Sequence, residues 1–301
     1  MNRAEAGSEG RWPAGMRCMA VVTVNFDVET LLLSEDPSFV DRQKSLSIMR
    51  YGANRGAQRL LEAFDELEVP TTWFVPGRVA ETYPGIVRDV AQAGHSIGMR
   101  GYALERYDSL GQPASAEALR RGRDTLSDLL GSPVRGFRLP SGEWPITLAD
   151  QLLDCGISWS SSWFGEDLPF HLPGSGKRRL LEIPTSYALD DRIAFFWNFS
   201  PAMPPGQSRI SAYSEVLGNW IYELEGCQRE GLCFVIQLHP EICGTPGRFH
   251  LVRDLLDVIR SSRDTMFATC DQVSNWWQSR YPANDPSHPA EVFFRARGSY
   301  R

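Results

Sequence analysis

The sequence predicts an α/β fold built on a parallel sheet or barrel. Short apolar, β-branched segments alternate with stretches whose apolar residues fall at helical spacing. Ionisable residues stand just after several of these apolar segments. No break in composition and no internal repeat marks a second domain.

The elements follow in order. Residues 19–26 are apolar and β-branched, a buried strand ending in polar Asp27. Leu60, Leu61, Phe64 and Leu67 share one helical face over 57–67, and Pro70 stops that helix. A strand is predicted at 71–75, a helix at 85–93 and a short strand at 95–99. The helix at 115–130 ends at Gly131. A strand at 134–138, a helix at 147–155 and a strand at 157–160 come next, then short strands at 180–183 and 193–197. A long helix at 213–230 precedes the strongly apolar strand 232–238, which ends in His239-Pro240. A helix at 251–261, a strand at 266–269 and a helix at 273–279 close the pattern. Residues 1–18 read as a disordered tail, with Met16 and Met19 as alternative starts, and the domain spans 19–280. Polar 281–301 reads as a second tail that orders only on docking.

The chain has 301 residues, 42% hydrophobic and 23% charged, as in ordinary globular proteins. No apolar run reaches the about 20 residues that a membrane helix needs, and residues 1–17 lack an apolar signal core. The expected location is cytoplasmic, with no membrane partner. A net charge of -6 with no Lys/Arg block argues against nucleic-acid binding. The six cysteines form no CxxC pair, so reduced thiols are expected rather than a cysteine zinc site.

Parallel barrels collect their chemistry at the C-terminal ends of strands. Asp27, Glu29, Arg100, Arg138 and His239 occupy such ends. In an extended chain Asp27 and Glu29 point the same way and face one cavity. Two close carboxylates repel, so one is held protonated unless a cation lies between them. That suits acid/base work or metal binding, and a solvated loop is the alternative. Glu143 is a further candidate carboxylate. Trp144, Trp159, Trp163, Phe164, Tyr187, Phe195, Phe196 and Trp197 gather in the middle third, where core packing accounts for most of them. Trp163 and Tyr187 follow strands among Gly, Pro and Asp, and fit the wall of a pocket for a small, flat substrate. His95, five residues before Arg100 on its strand, points to the opposite face and reads as structural; His171 falls in a Pro/Gly-rich loop over 169–176; His250 and His288 fit no ligand pattern.

Several passages resemble a known family. Gly94-His95-Ser96-Ile97-Gly98-Met99-Arg100-Gly101-Tyr102-Ala103-Leu104-Glu105 resembles the second motif of the polysaccharide deacetylase family, Gly-His-Glu-Ile-Gly-x-His-Gly-Tyr-x-x-His. Asn25-Phe26-Asp27-Val28-Glu29 resembles its Asp-x-Asp motif, and Arg50-Tyr51-Gly52-Ala53-Asn54-Arg55-Gly56 its Tyr-Gly-x-Arg-x-Gly segment. Thr71-Thr72-Trp73-Phe74-Val75-Pro76-Gly77, Gly136-Phe137-Arg138-Leu139-Pro140-Ser141 and Leu238-His239-Pro240 are similar to further motifs, in the family's order. The resemblance covers roughly 21–277 and points to the branch of peptidoglycan-deacetylase-like and allantoinase-like cytoplasmic enzymes. It implies a single-domain, distorted (β/α)7-type barrel and a homo-oligomer. It implies Asp27 as general base, Arg138 as the arginine that keeps the base ionised, and His239 as general acid or oxyanion stabiliser. Glu29 takes the place of a metal-binding aspartate. Asp190-Asp191 resembles the family's Asp-Asp loop, and a solvated turn is the alternative.

The family's two metal-binding histidines fall on Arg100 and Leu104. Arginine keeps its proton and offers no lone pair, and leucine has no donor atom. What remains is a poor zinc site, since zinc takes about three or four N, O or S ligands. Neither metal nor other cofactor is expected. Arg100 would instead put a fixed positive charge beside Glu29 and hold a substrate carboxylate or carbonyl oxygen. The expected function is metal-independent hydrolysis of the C–N bond of an amide or cyclic amide in a small molecule. Asp27, Arg138 and His239 are its catalytic residues, and Glu29, Arg100, Glu143, Trp163 and Tyr187 its substrate contacts. The alternatives are an isomerase, lyase or cyclase of specialised metabolism using the same acid/base pair, and an inactive binding homologue.

Overall fold

The computed structural model describes residues 10–195 and 210–296, the last four through their backbone alone. Among the described residues nine strands run, separated by helices except from β5 to β7: β1 (Cys18–Asn25), β2 (Thr71–Val75), β3 (Ser96–Met99), β4 (Gly136–Phe137), β5 (Trp159–Ser160), β6 (Phe170–Pro173), β7 (Arg179–Glu182), β8 (Cys233–Leu238) and β9 (Thr265–Phe267). All described pairings are parallel except that of β6 with β7. The expected α/β class is what the chain adopts. Phe196 and Trp197 lie outside the described residues.

The chain forms two compact units. The first comprises residues 1–73, 92–95 and 186–269. Its centre is β1, buried at all eight positions and paired with β8 from Met19 opposite Cys233 to Val24 opposite Leu238. A strand buried on both faces needs an unbroken apolar run, which is why the sequence announces both strands. Thr23 is satisfied inside this apolar layer because its hydroxyl donates to the Ile236 carbonyl at 2.8 Å. One step beyond the register, Asn25 stands beside His239.

The second unit comprises 74–91, 96–185 and 270–301. Here β3, β4, β5 and β7 pair in that order, and β6 closes the edge antiparallel to β7. Gly136 is required in β4, since a Cβ there would come within 2.0 Å of the Trp159 ring.

Four expectations are corrected. Residues 191–195 form a helical turn rather than part of a strand, because the Asp190 carboxylate accepts the Arg192 N–H at 2.9 Å and starts a helix. Strand β6 lies in what reads as a Pro/Gly loop. Its backbone is held at His171 by Asn284, whose amide accepts the His171 N–H and donates to its carbonyl, both at 2.7 Å. Residues 10–18 are anchored rather than disordered: Trp12 is buried, its indole donates to the Gly231 carbonyl at 3.0 Å, and Arg17 donates to the Arg229 carbonyl at 2.6 Å. The described residues beyond Tyr281, up to 296, dock within their own unit. His171 donates to the Tyr281 carbonyl at 2.7 Å, and Glu291, on helix Pro289–Ala296, is buried 3.5 Å from Arg179. Among the described residues no helix is long and apolar enough to cross a membrane.

Candidate active site

In the first unit the site begins where β1 ends. Asp27 is fully buried. Val28 sits at φ 49°, a left-handed conformation that a β-branched residue adopts only under strain. Glu29 then turns into helix Thr30–Glu35 with φ -65° and ψ -16°. The chain is therefore not extended here, and the expectation that Asp27 and Glu29 share a face through strand alternation is corrected. Glu29 pairs with the Arg50 Nε at 3.2 Å, a partner the motif pattern does not disclose.

His239 follows β8 and is 1% exposed. Its Nδ1 lies 2.6 Å from Asp191 Oδ1, and its backbone N–H donates to Asp191 Oδ2 at 2.8 Å. Its Nε2 lies 3.2 Å from the Asn25 Nδ2. Burial alone would push the imidazole below its ordinary value. The charge and hydrogen bond of the fully buried Asp191, together with the charges of Asp190 and Glu241, outweigh it, and the net direction is up. The Asn25 Nδ2 can only donate, so Nε2 accepts from it while the buried Asp191 carboxylate holds Nδ1, and the ring is fixed in an orientation in which Nε2 can exchange a proton. Asp191 reaches this place because Asp190 bridges to Gln237 of β8. Tyr187 is 61% exposed on the preceding turn. With Asp190, Ile193 and Trp220 it lines a cleft of about 620 Å³. The Asp-Asp pair was visible in the sequence as either motif or turn, and proximity to His239 decides for the motif. Asn25 and Arg50 lie within motif-like passages that imply no role for them, and buried Glu241 carries no sequence signal.

In the second unit Arg138 is 2% exposed. It donates to the Ser161 carbonyl at 2.7 Å and to the Ser161 hydroxyl at 2.8 Å, with its guanidinium 4.0 Å from the Phe74 ring centre. Glu182 of β7 is fully buried, and burial pushes its carboxyl up to about 7 against the hydrogen bonds from the backbone of Ser162 and Trp163 and the charge of Arg138. Trp163 meets Trp144 edge to face at 5.7 Å. Arg100 is buried and donates to the Leu139 and Pro140 carbonyls, both at 3.3 Å. Leu104 is buried at φ 62°, in a turn fixed by the Glu105 carboxylate, which accepts the Tyr102 and Ala103 N–H groups at 3.0 and 2.8 Å. Glu143 lies on an exposed turn, its N–H bound to Asp108 at 3.2 Å.

The family's metal does not fit these residues. Positions 100 and 104 supply a guanidinium and an alkyl group. Asp190, Asp191 and His239 bring donor atoms within 4.8 Å of one another. Yet the His239 Nδ1 is bound to Asp191 Oδ1, so an ion taking that nitrogen would have to break this bond.

The polysaccharide deacetylase family matches residues 48–159. A solved structure from Mycobacterium smegmatis, provisionally named a polysaccharide deacetylase, is 30% identical, with 92% of this chain and 96% of that one covered and a TM-score of 0.84. The chain belongs to the polysaccharide deacetylase family. Its members are hydrolases acting on C–N bonds. The Helicobacter pylori peptidoglycan deacetylase is 22% identical over 267 residues, 80% of this chain and 90% of the relative. The crystal structure of an allantoinase shares the fold with a TM-score of 0.77 at 18% identity, covering 91% of this chain and 94% of that one. The fold common to these deacetylases is of the (β/α)-barrel type that the motifs imply.

Proposed function

We propose that this family member hydrolyses the C–N bond of an amide or cyclic amide in a small molecule, without a metal, through Asp27 and His239. The observation that carries the reading is the buried Asp191–His239 pair, Nδ1 to Oδ1 2.6 Å, at the end of β8 and beside Asn25 of β1. Asp27 takes a proton from water as the water oxygen bonds to the carbonyl carbon. His239, kept charged by Asp191, gives its Nε2 proton to the leaving nitrogen as the C–N bond breaks and the oxyanion recloses to the acid. One proton enters at Asp27 and one leaves at His239, so the reaction balances with water as the only co-reactant.

Arg138 is assigned to keeping the base ionised, and Arg100 to a substrate oxygen. Glu29, Glu143, Trp163 and Tyr187 are assigned to substrate contact, Tyr187 on the strength of its place on the cleft. A reducing, cytoplasmic setting suits the unpaired cysteines. A homo-oligomer is carried forward from the family resemblance.

The test is incubation with a panel of N-acylated amines and cyclic amides in ¹⁸O-water, read by mass spectrometry. The expected product gains one water bearing the label. Asp27→Asn and His239→Gln each lower turnover on the order of 10²–10⁴-fold, the usual worth of a positioned acid or base. Product of unchanged mass, or full turnover by Asp27→Asn, contradicts the reading.

A further inference from the structure

Strand β6 pairs with β7 along one side. The segment after Tyr281 covers its other side, where the Asn284 amide accepts the His171 N–H and donates to its carbonyl, both at 2.7 Å, as a neighbouring strand would. The His171 ring makes a second tie. Its Nε2 lies 2.7 Å from the Tyr281 carbonyl oxygen, which can only accept, so Nε2 carries a hydrogen. A second hydrogen, on Nδ1, would meet no acceptor. That atom is buried without a hydrogen-bond partner among the described residues, and the whole residue is 3% exposed.

A second histidine is used in the same form. His288 stacks on Phe170 with ring centres 5.4 Å apart, and its Nδ1 accepts the Ala290 N–H at 3.1 Å, where helix Pro289–Ala296 begins. The docked segment thus places two imidazoles with Nδ1 unprotonated. Glu166 stands 3.6 Å from the His288 Nε2, whereas the His171 Nδ1 faces no such oxygen.

The charged groups packed around His171 are engaged with other partners. Glu291, on the docked helix, lies 3.5 Å from Arg179 of β7 and accepts from Asn284 at 3.3 Å. Glu182, also on β7, holds the backbone of Ser162 and Trp163. Asp285 accepts from Ser287, and Arg280 lies 6.0 Å over the Trp276 ring. Burial is the largest influence on His171 and holds it below the ordinary imidazole value of 6.5, with Arg179 and His288 acting the same way and Tyr281 and Glu291 against.

We propose that His171 makes the C-terminal segment an acid-released latch: the segment holds on β6 while Nδ1 is bare, and lets go when that atom takes a proton. Release lets the charged ring reach water, which removes the cost of burying it without an acceptor. It also uncovers the N–H and carbonyl of His171, an open strand edge of the kind that pairs with another chain. The released ring binds a proton more readily than the docked one. Docking is therefore complete above 6.5 and weakens as pH falls below it.

The test is hydrogen–deuterium exchange of the full chain, read by mass spectrometry on peptides spanning 170–173 and 281–296 and corrected for the intrinsic effect of pH. From about pH 7 to about pH 5.5, protection of both peptides is expected to fall roughly three- to tenfold, as uptake of one proton over that interval gives. His171→Gln keeps a donor for the Tyr281 carbonyl and cannot take the proton, so its protection should change by less than about twofold. His288→Asn keeps an acceptor for Ala290 and should retain the full drop. Unchanged protection in the wild type, a full drop in His171→Gln, or no drop in His288→Asn overturns the proposal. Should His171→Gln fail to fold, ¹⁵N-histidine spectra of the wild type decide. A His171 ring with its hydrogen on Nε2 and a midpoint below 6.5 is expected; a hydrogen on Nδ1, or a midpoint at or above 6.5, overturns the latch. None of these measurements needs a substrate, so their outcome is independent of the hydrolase reading.

Discussion

His239 donates its Nδ1–H to Asp191 Oδ1 across 2.6 Å, while the other oxygen of the same carboxylate takes the His239 backbone N–H at 2.8 Å. One side chain thus holds the His239 backbone, orients its ring and favours its charged form. Sequence distance hides the arrangement, since 48 residues separate the two.

Replacing Asp191 separates these roles. Asp191→Asn keeps an acceptor and loses the charge, so the His239 midpoint falls and turnover drops on the order of 10²–10⁴-fold. The stability effect has a definite sign. A raised imidazole stabilises the fold fully below its unfolded value and loses that contribution as pH rises through the folded one. Denaturant unfolding should therefore show Asp191→Asn to be more damaging just below the ordinary imidazole value than in mild alkali. Equal damage at both would contradict the charge argument.

Glu182 makes a prediction of the same sign from a carboxyl. Its folded value of about 7 exceeds the ordinary 4.5, so its favourable contribution is complete below 4.5 and lost as pH rises to about 7. The gap corresponds to roughly 3 kcal/mol. Glu182→Gln keeps the oxygen that accepts from Ser162 and Trp163 but cannot ionise. Calorimetric unfolding from about pH 5 to about pH 8 should show a smaller loss of stability in the variant, by up to about 3 kcal/mol. Identical pH profiles for the two proteins would mean that Glu182 does not titrate in this range.

Trp12 tests the anchored N-terminal stretch. It is 1% exposed, and its indole is bound to Gly231. Trp12→Ala should cost about 3–5 kcal/mol in denaturant unfolding, the range for a buried aromatic cut to alanine. A chain begun at Met19 should lose at least as much. A cost under about 0.5 kcal/mol, typical of surface positions, would return this stretch to the status of a tail.

Where one segment carries its own signal, the sequence is readable. Strands β1 and β8 show as apolar runs because both faces are buried, and helix Tyr213–Glu230 shows at its full length because Gly231 closes it in the left-handed conformation at φ 73°. Strand β6 was hidden because its pairing depends on β7 and on Asn284, 113 residues from His171. The site divides in the same way. Asp27, Arg138 and His239 stand out by motif, each buried where polar residues are rare. Asp191 stands in a motif-like pair, but its partner His239, like the pairing of Arg50 with Glu29 and the burial of Glu241, is visible only once the chain is folded. Val28 is the sharpest case, since nothing in Asp27-Val28-Glu29 says that its middle residue adopts φ 49° and turns the chain.

On the proposed reading, acid/base work by Asp27 and His239 stands in for the metal chemistry that Arg100 and Leu104 cannot support. The most direct measurement is metal content of the purified protein by inductively coupled plasma mass spectrometry after growth with added zinc. Less than about a tenth of an equivalent of any divalent metal is expected, because the described donors leave too few of the about three or four ligands that zinc requires. Near one equivalent of zinc, nickel or cobalt would contradict it and make a metal-dependent deacetylase the better reading.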